Sequence, residues 1–203
     1  REIWLARVPV RASRITYVGE LGWELYVPVE FAAGLYDALQ EAGGDLGLTD
    51  AGYYAIESLR VEKAYRAWGR ELTTDDTPLE AGLGFAVRFD KAVPFIGREA
   101  LLAQREKPLA KRLVNFVLDD PEALPLGDEP IWCEGRIVGS TSSAAYGHTL
   151  GRAVAMGYVR RSEGIDAAYL GHARFEIEIA GDRVGARGSF KAPYDPDGFR
   201  SKS

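Results

Sequence analysis

Two carboxylates stand four residues apart in YVGELGWELYVP, the stretch from Tyr17 to Pro28: Glu20 and Glu24, with Gly22 and Trp23 between them. On an uninterrupted strand their even spacing would place both on one face, but Gly22 breaks that strand. Two readings stand. Both acids are solvated edge residues of a half-buried strand, or one of them accepts two N–H donors from a flat heterocycle. A carboxylate suits the second task because it offers two parallel acceptor oxygens. Tyr17 and Trp23 would then wall the pocket, although aromatic residues at strand positions also serve as plain core. A second charged stretch, SLRVEKAYRAWGREL, carries Arg60, Arg66 and Arg70. Read as a solvated face, it pairs Arg66 with Glu62 one helical turn back. Read as a site, it holds a substrate carboxylate or a polyglutamate tail. Trp68 packs there and borders any pocket.

Other chemistries find little support. The sole cysteine, Cys133, lies in PIWCEGRIVG with no basic neighbour in sequence to activate it, and reads as a packing residue. His148 and His172 have no cysteine or histidine near them at ligand spacing, so no metal site is expected. GLGFAV begins like a dinucleotide fingerprint but lacks the third glycine and the strand-to-helix context. Ser142 and Ser143 lie outside any nucleophile elbow. The formal net charge of −5 speaks against a nucleic acid or an anionic membrane as partner. No apolar run reaches the roughly 20 residues that span a bilayer. One cysteine excludes an internal disulfide and suits a reducing compartment.

The elements that must position these residues fall into two groups. RITYVGELGWELYVP reads as two short strands about a glycine-rich turn. VEFAAGLYDALQEAGG has helical spacing and stops at Gly43–Gly44. TDAGYYAIESLRVEKAYRAWG reads as a second helix with Asp50 at its N-cap. In TPLEAGLGFAVRF, Thr77 and Glu80 form a capping-box pattern, followed by a strand over FAVRF. GREALLAQRE is a short third helix. Beyond Pro108 short strands dominate: KRLVNFVL, a hairpin across Glu134–Gly135, AVAMGYVRR, and a hairpin in HARFEIEIAGDRVGARGS turning at Gly181–Asp182. Strands at this spacing predict a small antiparallel barrel. The expected organisation is α+β, with a first domain over 1–107 and a β-barrel domain over 108–203. The tail YDPDGFRSKS is expected to be loose or strapped along the surface.

YVGELGWELYVP, AGYYAIESLRVEKAYRAWGREL, DDTPLEAGLGFAVRFDK, FIGREAL and KAPYDPDGFR, in that order, resemble the glycine cleavage T-protein (aminomethyltransferase) superfamily. YRAWGREL and TPLEAGLGFAV are most similar to the carboxy-terminal folate-binding part of dimethylglycine and sarcosine dehydrogenases. The resemblance implies part of a folate-binding α+β domain followed by the barrel. It implies tetrahydrofolate as cofactor, with FAD only in a domain preceding this segment, and transfer of a one-carbon unit from a methylamine donor. Tyr17 and Glu24 match the family's pterin-lining Tyr and Glu, whereas Glu20 matches a position that is less clearly a ligand contact. Ile56 stands where T-proteins proper carry a folate-holding Arg, a departure often shared by the dehydrogenase branch. Arg60 matches a later, structural Arg. The family's catalytic Asp is expected upstream of this chain, which is read as a piece of a longer protein, inactive alone and able to self-associate. A non-catalytic folate-sensing or assembly module, and a methyltransferase using another methyl donor, are the alternatives. The resemblance places the protein in the cytoplasm, or in the mitochondrial matrix of a eukaryote.

Overall fold

The computed structural model describes residues 1–202. It divides into two compact units, one of Arg1–Glu57 with the segment from Asp197 onward, the other of Ser58–Pro196. The division into compact units falls between Glu57 and Ser58, inside a helix.

The first unit is a three-stranded antiparallel sheet with one helix. β1 (Glu2–Leu5), β2 (Val8–Ser13) and β3 (Glu24–Tyr26) lie in that order. The β1–β2 turn is made by Ala6 and Arg7, both at positive φ (47° and 67°). β2 alternates strictly, burying Val8, Val10 and Ala12 and exposing the residues between. Val8 and Val10 pack with Leu35 of α1 (Val29–Gly43) into a small core. α1 stops as expected at Gly43, which approaches Leu48 so closely that a Cβ there would sit 2.6 Å from its side chain. The segment at Ile15–Tyr17, read above as a strand, is instead a loop. Asp50 caps nothing: its carboxylate accepts from Tyr36 Oη (2.7 Å) and Gln40 Nε2 (3.0 Å) of α1, while α2 begins later, at Tyr53–Glu62.

The second unit is built on a closed antiparallel barrel. Its strands are β4 (Lys111–Leu118), β5 (Pro130–Cys133), β6 (Arg136–Gly147), β7 (Arg152–Arg160), β8 (Phe175–Ile179) and β9 (Asp182–Ser189), in the order β4-β7-β6-β5-β8-β9 with β9 closing onto β4. The fold is thus α+β with a six-stranded barrel. Val114, Phe116 and Leu118 of β4 point into the barrel with Ala153, Ala155 and Val159 of β7, while Leu113, Val154 and Met156 face out. The outer set is covered by Val61 of α2 and by Ala64 just beyond the helix end. Both faces of β4 and β7 are therefore dry, and their sequences read as continuous apolar runs rather than alternating ones. Inside, Phe116 and Phe175 meet edge to face at 5.3 Å. Cys133 is a buried wall residue, its Sγ 3.4 Å from Tyr169 Oη.

Between α2 and the barrel, the capping box at Thr77 forms reciprocally, Thr77 N donating to Glu80 Oε2 (2.9 Å) and Glu80 N to Thr77 Oγ1 (3.2 Å). FAVRF makes no strand. It begins in a 3-10 turn, Gly84–Ala86, and the carbonyl of Phe89 is taken by the Arg98 guanidinium at 2.9 and 3.1 Å. α3 (Arg98–Arg105) follows, and α4 (Ala167–His172) is capped by Asp166. The β8–β9 turn occupies Ala180–Gly181, one residue earlier than expected.

Candidate functional site

The connection between β2 and β3 carries the acidic pair. Thr16 folds it: its Oγ1 accepts from Val18 N (3.3 Å) and Gly19 N (3.1 Å), and Gly19 takes the left-handed conformation the turn requires. Gly22 closes the loop on itself, since a Cβ there would lie 3.2 Å from Ile15 O and 3.3 Å from Thr16 Cβ. A cleft of about 350 Å³ lies against this loop, lined by Arg14, Ile15, Thr16 and Gly22 together with Ser201 and Lys202.

The loop separates the two carboxylates. Glu20 stays in the loop, where Arg200 Nε reaches its Oε2 at 3.2 Å. Glu24 opens β3 opposite Ser13 and is only partly exposed. Its Oε2 accepts from Tyr26 Oη, two residues on and therefore on the same strand face. The hydrogen bond to the Glu24 carboxylate raises the Tyr26 hydroxyl above its ordinary value. Oε1 of Glu24 accepts nothing within the described chain, so an acceptor remains for an incoming N–H. Tyr17, Trp23 and Tyr26 are 40%, 60% and 53% exposed, and none is a core residue. Tyr26 was not singled out by the sequence reading; its signal was the Glu-x-Tyr spacing along a strand. Ile56 is half-buried on α2, and its neighbours Tyr53 and Tyr54 are exposed.

The arginine-rich stretch turns out differently. Arg60 has no exposure at all and forms an ion pair with the equally buried Glu71 at 2.9 Å. Arg60 also donates to Tyr65 O (3.1 Å) and Ser143 Oγ (2.7 Å). Glu71 accepts in addition from Ala67 N (2.9 Å) and Ser142 Oγ (2.6 Å), and Tyr158 Oη donates to its carbonyl at 2.9 Å. This network is a sealed strut and not an anion site. It also gives Ser142 and Ser143 their role, as hydroxyls that satisfy a buried ion pair. The expected Arg66–Glu62 pairing is not made, because α2 ends at Glu62 and Ala64 takes positive φ (56°). Arg66 donates instead to Ala64 O and Ala81 O, while Glu62 Oε1 accepts from Thr149 N and Leu150 N. Trp68 is 75% exposed rather than packed. Among the described residues no group of His, Cys, Asp and Glu could hold a metal ion, and no helix is long and apolar enough to cross a membrane.

Two family models match the chain in tandem: the GCVT N-terminal domain over residues 1–91 and the glycine cleavage T-protein C-terminal barrel domain over 111–195. The chain belongs to the glycine cleavage T-protein (aminomethyltransferase) superfamily. Among relatives, human mitochondrial sarcosine dehydrogenase is 41% identical over 195 residues, which is 95% of this chain and 21% of that protein. The mouse mitochondrial pyruvate dehydrogenase phosphatase regulatory subunit is 39% identical over 189 residues, 88% of this chain and 22% of that protein. The chain thus spans about a fifth of these relatives. Among solved structures, the glycine cleavage system aminomethyltransferase T from Bartonella henselae superposes with a TM-score of 0.75 at 26% identity, over 90% of this chain and 48% of that one.

Proposed function

We propose that this chain is the carboxy-terminal part of a tetrahydrofolate-dependent aminomethyltransferase-like protein of the sarcosine and dimethylglycine dehydrogenase kind. The observation that carries the reading is the ordered match to both T-protein domains in one chain that is 41% identical to a sarcosine dehydrogenase. The residues present suit the cofactor. Glu24 keeps one carboxylate oxygen open beside the exposed Tyr26, the donor-accepting edge a flat pterin amide needs. Glu24 binds the pterin edge, Tyr26 fixes the carboxylate's rotamer, and Tyr17 packs beside it. Bound tetrahydrofolate supplies the nitrogen that takes up the one-carbon unit from a methylamine donor. The chain's own contribution is to hold that group in place, so positioning dominates. FAD and the acid that polarises the amine belong to the preceding part of the parent. On this reading the two family domains meet at 107/108, in the Lys107–Pro108 link, and a eukaryotic parent works in the mitochondrial matrix.

The test is titration of the full-length parent with tetrahydrofolate. Glu24→Ala weakens binding by about tenfold or more, and Tyr26→Phe by less. Unchanged affinity in Glu24→Ala removes the reading. The regulatory-subunit relative favours a second one, a non-catalytic folate-sensing or assembly module. A full-length parent that binds tetrahydrofolate yet turns over no methylamine supports it.

A further inference from the structure

A trough of cationic side chains runs along the Ser58–Pro196 unit. It has two lobes of about 490 and 590 Å³. Lys107 and Arg161 stand in the wall of the first, Arg70 in the wall of the second, and Lys111 and Arg160 in both, so the lobes meet at that pair. Five cations and three carboxylates (Asp76, Glu80, Asp128) line the trough, a positive excess in a chain whose net charge is −5.

Lys111 begins β4 and Arg160 ends β7, and the two stand directly opposite each other in the antiparallel ladder. Opposed residues share a face, and like charges so placed repel. Asp76 neutralises Lys111 at 2.6 Å, and the Tyr158 ring lies 4.6 Å from its ammonium. Arg160 and Lys107 have no acidic side chain within ion-pair distance among the described residues. Arg70 meets only the Ser142 carbonyl, at 3.4 Å. Three cations therefore enter one trough without a carboxylate partner.

We propose that the trough binds a small extended polyanion, of the oligocarboxylate or oligophosphate class, across the Lys111–Arg160 pair. Two lobes meeting at two like charges fit a chain of spaced negative groups better than one compact ion. The proposal does not rest on folate binding at Glu24.

The experiment titrates the full chain with tripolyphosphate and, separately, tetraglutamate at constant ionic strength, following amide chemical shifts and thermal stability. Saturable shifts at 107–112 and 158–161 are expected, with a Kd below about 1 mM and a rising Tm. Replacing two exposed residues, Lys107→Ala with Arg160→Ala, weakens binding about tenfold, whereas Arg174→Ala with Arg187→Ala, in a separate cleft of the barrel, leaves it unchanged. Lys111 is kept, since it holds Asp76. Saturation by only one of the two probes assigns the source, and saturation by both supports the shared class. No saturation with either probe, or equal weakening in the control variant, overturns the proposal.

Discussion

Arg60 shows how far a single side chain's role can lie from what its neighbours in sequence suggest. In an arginine-rich stretch it looks like part of a solvated or anion-binding face. Folded, its guanidinium is wholly buried, and Glu71, Tyr65 and Ser143 accept its hydrogen bonds. Desolvating both charges is costly, so the pair is a specificity device more than a source of stability. Removing one partner is a different matter. Arg60→Met leaves the Glu71 carboxylate buried without its cation and is expected to cost about 3–5 kcal/mol, read as a shift in the urea midpoint. Arg60→Lys does not rescue it, because a compact ammonium cannot reproduce the planar fork. At the candidate site, Glu24, whose role is a proposal, was legible as a candidate because its Tyr-x-Gly-Glu-x-Gly-x-Glu neighbourhood resembles a known motif. Its hydrogen bond with Tyr26 was not, since a side-chain partner depends on rotamers that strand spacing alone leaves open.

At the scale of elements, the hairpins with glycine at the turn were legible: β5–β6 turns at Glu134–Gly135 and β8–β9 at Ala180–Gly181. The β1–β2 hairpin was not, because Ala6 and Arg7 adopt positive φ without a glycine or asparagine to announce it. FAVRF had strand composition, yet Arg98, nine residues on, captured the carbonyl of Phe89, a side-chain contact that strand propensity does not register. Two element-scale outcomes follow. Gly139 and Gly157 lie where β6 and β7 approach closely. A Cβ on Gly157 would sit 2.7 Å from Ile131 Cδ1 and 2.9 Å from Thr141 Cα, and one on Gly139 would collide with the Tyr158 carbonyl. Gly157→Ala is expected to cost on the order of 3 kcal/mol in chemical denaturation. The second outcome concerns Asp76, which clasps Lys111 at the start of β4. Burial alone would raise its carboxyl, but bonds from Lys111 and Thr73 outweigh that and hold it below its ordinary 3.8. A carboxylate depressed on folding stabilises above its unfolded value and loses that contribution as pH falls through the folded one. The urea-midpoint gap between wild type and Asp76→Asn should therefore be widest at neutral pH and narrow below about pH 4.

At the scale of the whole molecule, the two units differ in how much each buries. The first has Val8, Val10 and Leu35 as its buried cluster, while Trp4, Leu21, Trp23, Val29, Tyr53 and Tyr54 remain exposed. The barrel buries a far larger set. Amides of β4 and β7 should thus exchange at least about 100-fold more slowly than those of β1–β3, measured by hydrogen exchange. The exposed apolar residues also lead us to expect concentration-dependent association, and a clean monomer in sedimentation at high concentration would refute it. The barrel class was legible from strand spacing, but its closure was not: nothing local in KRLVNFVL marks it as the neighbour of GDRVGARGS. That closure sets the order of events when the protein is made. β4 waits for β9, whose residues are translated about 70 positions later. Until Asp182–Ser189 leaves the ribosome, one side of β4 stays an open, hydrophobic template for strand addition. A transcript truncated in the β8–β9 turn should therefore yield aggregates rather than a smaller soluble protein, and in the intact chain the nascent barrel needs shielding until nearly its last strand has been translated.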